Sequence, residues 1–209
     1  MVSLATYNDY RRVGREMMTK VIKASLSRDT LDRSAKLLGI SRSGVFVFDS
    51  EEEMAVLFDF ALNDCRTGSK NAIELYNETK GSANEVEKEI LAGHASAYTS
   101  LFRILSISKA DSTLLLRDLL NDRDDVSLTD INLSRTAVPG FLLFLRVVPL
   151  RDFNITSGFM FAFRGQLESR LLAGYKRPAK KSEPRDDAQR RFVHFLKAYR
   201  AHGIETRFE

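Results

Sequence analysis

The chain has 209 residues, 32 Lys and Arg against 28 Asp and Glu, a formal net charge of +4 and a pI of about 9.2. Apolar residues make up 44% and charged residues 29%, enough to fill one core, or a domain with a smaller partner, which excludes disorder along the whole chain. No run approaches the roughly 18 apolar residues of a membrane helix; the nearest, Val138 to Leu150, is broken by Arg146 and reads as a strand covered on both faces.

From Tyr7 to about Ala24, Tyr10, Val13, Met17 and Val21 recur at helical steps and predict one buried face, with Arg11, Arg12, Arg15, Lys20 and Lys23 around the remainder. A shorter helix is predicted from Thr30 to Leu38, with Asp29 as its cap and Gly39 as its stop. Val45 to Phe48 favours an extended chain. Ser50-Glu51-Glu52-Glu53 has the spacing of a capping box, so a helix starts there, with Met54, Leu57, Phe58, Ala61 and Leu62 as its buried stripe. Helices follow from Lys70 to Thr79 and from Asn84 to Ala97, separated by a turn at Lys80-Gly81-Ser82.

Near Tyr98 the period changes from helix to strand. Ser100 to Ser108, Thr113 to Leu120, Val126 to Ile131, Phe141 to Val148 and Phe153 to Phe163 read as strands, with acidic turn residues Asn121 to Asp125 making a hairpin of the second and third. Five strands in such a short segment predict a small antiparallel sheet or an SH3-like barrel, because closure protects strand edges. A helix from Gln166 to Ala173 ends at Gly174, a basic linker runs from Tyr175 to Asp187, and a helix from Asp187 to Ala201 turns Phe192, Phe195, Leu196 and Tyr199 to one side. Ile204 to Phe208 is a further candidate edge strand. The fold class is thus α+β: a mainly helical region over 1–99, a small β unit over 100–165 and C-terminal helices over 166–209, with linker 175–187, all within the size of one domain. No internal repeat or low-complexity segment is apparent.

Motifs that carry chemistry are scarce. The histidines His94, His194 and His202 lack metal-binding spacing, and His94 reads as a hydrogen-bonded core or boundary residue. Asp118, Asp122, Asp124, Asp125 and Asp130 lack the central Gly and terminal Glu of a calcium loop, and read as a hairpin turn with solvated carboxylates. Cys65, the only cysteine, has no partner for an intramolecular disulfide, and it follows a helix C-terminus, where the dipole disfavours a thiolate. With no charged-apolar-small segment opening the sequence, the expected compartment is the cytoplasm. No nucleophile elbow or phosphate-cradling loop occurs, so no catalytic residue, metal or cofactor is assigned.

Leu31 to Phe48 resembles a bacterial helix-turn-helix, with Ala35, Gly39 and Val45 at the required spacing. That resemblance implies a DNA-binding regulator, with Arg42 on the recognition helix and Arg11, Arg12 and Arg15 as further phosphate contacts. Against it, Gly44 interrupts the second helix and Asp49 and three glutamates follow. Val47 to Glu51, Lys70-Asn71-Ala72 and Thr136-Ala137-Val138-Pro139-Gly140 resemble an uncharacterised bacterial family of similar length. This second resemblance implies no activity and favours the extended reading of Val45 to Phe48.

The preferred expectation is a non-catalytic binding or scaffolding module. It would work through its β surface or through Phe192, Phe195 and Tyr199 of the C-terminal arm, toward a partner protein or a second copy, with no membrane contact; that arm docks either on its own core or on another subunit. The net charge weakens the nucleic-acid alternative. Residues 1–48 carry +5, 49–93 carry −7, 94–174 carry +1 and 175–209 carry +5, opposed blocks able to attract one another within the protein.

Overall fold

The structure, a computed structural model, describes residues 2–48, 50, 52–178 and 183–204. It divides into two compact units: Met1–Ala97 with Val148–Asp152, and Tyr98–Val147 with Phe153–Glu209.

The first unit is helical. Helix α1, Leu4–Ser25, begins where the Ser3 hydroxyl accepts from the Thr6 amide, 3.0 Å. It buries Tyr7, Met17 and Val21, while Tyr10 and Val13 are half-buried at the margin of the same core. Helix α2, Arg28–Leu38, is capped by Ser27 rather than by Asp29, which lies in its first turn. Gly39 ends it in the left-handed region, φ 71, where a side chain would clash with the backbone. Strands β1, Ser41–Arg42, and β2, Val45–Phe46, pair through a turn in which Ser43 and Gly44 both have positive φ, the type I′ geometry that matches strand twist.

Helix α3, Glu52–Asn63, starts as the acidic run predicts, and the Ser50 side chain bonds to the Glu52 carboxylate, holding its pKa below the usual range. Its buried stripe differs from the expected one. Val56, Leu57, Phe60, Ala61 and Leu62 are buried, while Met54 is 51% exposed. Packing against both α2 and α4, Ala72–Thr79, closes off two sides of the helix and draws in Phe60. Before α4, β3, Arg66–Thr67, and β4, Lys70–Asn71, form a second hairpin, which takes in the start of the helix predicted from Lys70. Asn71 and Glu74 make a reciprocal capping box that starts α4. After a turn at Gly81, φ 69, helix α5, Glu85–Ala95, follows with Asn84 as its cap.

Met17, Val21, Leu62, Ile73, Tyr76, Ile90 and Leu91 form the core of this unit. At its margin the Tyr10 hydroxyl donates to Glu89, 2.8 Å, and the same carboxylate accepts from the Arg151 amide, 2.7 Å. Burial and the Glu89 charge push the Tyr10 phenol up to about 12.

The second unit is a closed barrel with helices. Strands β5, Tyr98–Ser108, β6, Thr113–Asp118, and β7, Val126–Thr129, form an antiparallel meander; β8, Leu142–Pro149, and β9, Asn154–Phe163, complete the circle in the order β5-β6-β7-β9-β8. Its class is the expected α+β, but β7 runs parallel to β9, with Leu128 opposite Asn154. That pairing exists because a short helix, α6, Ile131–Thr136, leaves β7 where sequence predicts the strand to continue to Ile131. Asp130 caps it, accepting from Leu133 N at 2.9 Å. A barrel with its third and fifth strands parallel, and a helix before the fourth, has the Greek-key connectivity of the OB-fold rather than of an SH3-like barrel.

Phe102, Ile104, Leu114, Leu116, Leu128, Leu143, Leu145 and Val147 fill the barrel, and Leu133 of α6 joins them. A one-turn 3₁₀ helix, Gly165–Leu167, leads into α7, Glu168–Tyr175, and Asp186 caps α8, Asp187–His202. Ile204 bridges to Ala162, which is as far as the expected terminal strand can be followed, since 205–208 lie outside the described residues; part of the expected linker, 179–182, also does. Among the described residues no helix is long and apolar enough to cross a membrane.

Gly93 in α5 faces the Pro149 carbonyl so closely that a Cβ would lie 2.6 Å from its oxygen. Gly93→Ala is expected to destabilise the first unit by about 1–3 kcal/mol. Gly14→Ala, whose new methyl would meet only Ile90 at 4.0 Å, is expected to be neutral or stabilising by up to about 1 kcal/mol through helix propensity. Thermal melting of the two variants checks the pair.

Candidate functional site

The outside of the barrel has two differently treated sides. On β8 and β9 the outward side chains are covered, among them Phe144, Phe159, Phe161 and Phe163. Phe144 stacks on Phe195 of α8 at 4.5 Å and on Phe161 at 5.8 Å, with Phe192 edge-on at 5.9 Å; Tyr199 stacks on Phe161 at 4.8 Å. Phe192 and Phe195 are fully buried and Tyr199 half-buried. Of the two dockings open to this arm, on its own core or on another subunit, these three residues take the first and pack inside their own unit.

Across β5, β6 and β7 the outer face is arranged in cross-strand rows. Arg103 lies opposite Arg117, then, past a bulge between Ile104 and Ser106, Ser106 lies opposite Leu115, and Leu115 opposite Ser127. Two arginines directly opposite would repel, and each has its own carboxylate. Arg117 holds Asp125 with two hydrogen bonds, 3.0 and 2.9 Å, and Arg103 holds Glu168 of α7. The Arg117 guanidinium lowers the Asp125 pKa, and Asp125 raises that of Arg117. Between these ion pairs and the serines, Leu115 is 38% exposed, an outward leucine in a barrel whose other leucines on β6, Leu114 and Leu116, are buried.

The turn after β6 is fixed by a buried carboxylate. Asp118 accepts from the Ser100 hydroxyl, from the Leu120 amide at 2.9 Å, the Asn121 amide at 3.0 Å and the Asn121 side chain at 2.9 Å. It is therefore a structural acceptor at 7% exposure, where the sequence suggested a solvated aspartate. The turn it holds carries Arg123, whose guanidinium lies 4.1 Å from the centre of the Tyr98 ring. Burial chiefly, with the Asp118 charge, pushes the Tyr98 phenol up.

The residues named for the DNA-binding alternative lie in the first unit, on α1 and β1. Arg12 is held between Asp9, 2.6 Å, and Glu16, 3.0 Å. Arg11 is half-buried on the same helix and Arg15 exposed, while Arg42 stands on the exposed β1–β2 hairpin. The segment that a recognition helix would occupy is that hairpin, because Gly44 and the β-branched and aromatic residues after it favour a turn and a strand. Cys65 is buried and accepts from the Ser34 hydroxyl at 3.0 Å, and His94 Nδ1 lies 3.3 Å from the Asn63 amide oxygen. No group of three or more His, Cys, Asp or Glu among the described residues is placed to hold a metal ion.

Asp118→Ala strips an acceptor from buried donors, each costing about 1–3 kcal/mol when left unpaired, so it is expected to lower the urea midpoint strongly. Asp118→Asn, which keeps one acceptor oxygen, is expected to cost less. Equilibrium denaturation with an unchanged m-value checks the order.

No curated protein and no solved structure matches the chain. A family model does, over residues 1–209, and the chain belongs to that family, a family of unknown function (DUF7986).

Proposed function

We propose that this chain is a non-catalytic binding module that engages a partner protein through the outer face of β5, β6 and β7. Leu115 carries the reading: it is a large apolar side chain, 38% exposed, with Ser106 and Ser127 as its cross-strand neighbours and the Arg117–Asp125 pair alongside. An apolar centre inside a polar rim is the anatomy of a protein interface. The end of β6 and the turn after it are held by Ser100, Asp118 and Asn121, which bond to one another and to the backbone, an arrangement suited to holding the strand in shape. A reduced Cys65 fits action in the cytoplasm.

Barrels of this connectivity bind oligonucleotides on the same face, which makes nucleic acid the second reading. Base stacking needs aromatic rings in solvent among unpaired cations. Among the described residues of this unit no Phe or Tyr is exposed, and both outward arginines of the sheet face hold carboxylates. The protein-partner reading is favoured on those grounds.

Leu115→Glu is expected to leave the melting temperature nearly unchanged, since the side chain packs into no core, and to reduce capture of a partner protein from host lysate at least tenfold. Equal capture by both forms would sink the proposal. Retention of a single-stranded oligonucleotide that weakens steeply with salt would transfer the face to the second reading.

A further inference from the structure

The imidazole of His194 lies where α8 meets α7. Its ring is edge-on to Phe195 at 5.0 Å and 5.7 Å from the Tyr175 ring, and Phe195 in turn stacks on Phe144 of β8. Gly174 makes room for it: a Cβ there would come within 3.2 Å of His194 Cε1 and 3.5 Å of Nε2. The imidazole bonds to the backbone of Leu171 on α7. Nε2 is buried and has no hydrogen-bond partner. A neutral ring fits this setting, with one nitrogen bonded to the backbone and the other among apolar groups; a second N–H has nowhere to donate.

We propose that α8 is a proton-sensitive latch: a proton taken from solvent by His194 Nε2 loosens the helix from α7 and from the aromatic side of the barrel, presenting Phe192, Phe195 and Tyr199. The charged groups around the ring do not cancel the effect. Glu183, ahead of α8, favours the cation, while Arg190 and Lys197 of α8 oppose it. From α7 the ring meets the Leu171 backbone, Gly174 and Tyr175, whose ring already carries the Arg190 guanidinium at 4.8 Å. The barrel side presents phenylalanines.

Burial is the largest influence on His194 and lowers its pKa below the ordinary 6.5. A released helix therefore binds a proton more readily than a docked one. The docked state is at full strength above about pH 6.5 and weakens as pH falls through the packed value, by up to about tenfold in the latch equilibrium per pH unit for a single proton.

Amide exchange of the full chain, corrected for intrinsic rates, tests this at pH 7.5 and 5.0. In the wild type, protection over 187–202 is expected to fall measurably at the lower pH while β5 to β7 keep theirs. His194→Phe, which fills the site without titrating, is expected to make α8 protection independent of pH; His194→Gln gives the same reading if the larger ring disturbs packing. A wild-type α8 insensitive to pH, loss of β5 to β7 protection in step with α8, or an unchanged pH response in both variants would overturn the latch.

Discussion

The second unit depends on the packing of Phe144. Its ring, on the outside of β8, is in contact distance of Phe159 and Phe161 on β9 and of Phe192 and Phe195 on α8. An outward phenylalanine on a barrel strand is unfavourable unless something covers it, and fully burying such a side chain is worth about 1.5–3 kcal/mol. That requirement brings the C-terminal helix back across the intervening chain. It also commits one side of the barrel to the interior, while Leu115 of β6 stays exposed on another.

Charge is handled by the same local logic. The basic helix α1 is answered by Asp9 and Glu16 along its own surface and by Glu87 of the acidic block, which takes a hydrogen bond from Lys20 at 2.7 Å. Lys20 lowers the Glu87 pKa, and the Ala83 amide assists. On the barrel, Arg103 and Arg117 face each other only because Glu168 and Asp125 stand beside them. Exposed pairs of this kind contribute little to stability. They do hold Arg12, Lys20, Arg103 and Arg117 against carboxylates, which weakens these cations as phosphate contacts.

Much of the architecture was legible from periodicity. The helices beginning near Thr30, Glu52 and Asn84, the alternation after Tyr98, and the Phe-rich terminal helix all follow from side-chain spacing, although the face that the helix from Glu52 buries is not the one its spacing suggests. The two hairpins were hard to read because strands of two residues have no period: Arg66–Thr67 and Lys70–Asn71 look polar and continuous with the helix that follows. The signal that was available is Asn71 with Glu74 three residues on, a capping box that places the helix start after Asn71. The parallel pairing of β7 with β9 was beyond local sequence, since it depends on Asp130 ending one strand as a helix cap. The candidate site was half legible. Alternation assigned Leu115 to the face opposite Leu114 and Leu116, but whether that face is covered is decided by where α8 docks. Asp118 sits among aspartates that look alike in sequence and is distinguished by Ser100, a residue 18 positions away.

The central claim is that α8 closes one side of the barrel and leaves the Leu115 side open. Hydroxyl-radical footprinting of the intact chain at pH 7.5, read by mass spectrometry residue by residue, measures this directly. Leu115 is expected to be oxidised readily while Phe144, Phe192 and Phe195 are protected. Protected Leu115 together with oxidised Phe192 and Phe195 would contradict the account, because the covered and open sides of the barrel would then be reversed.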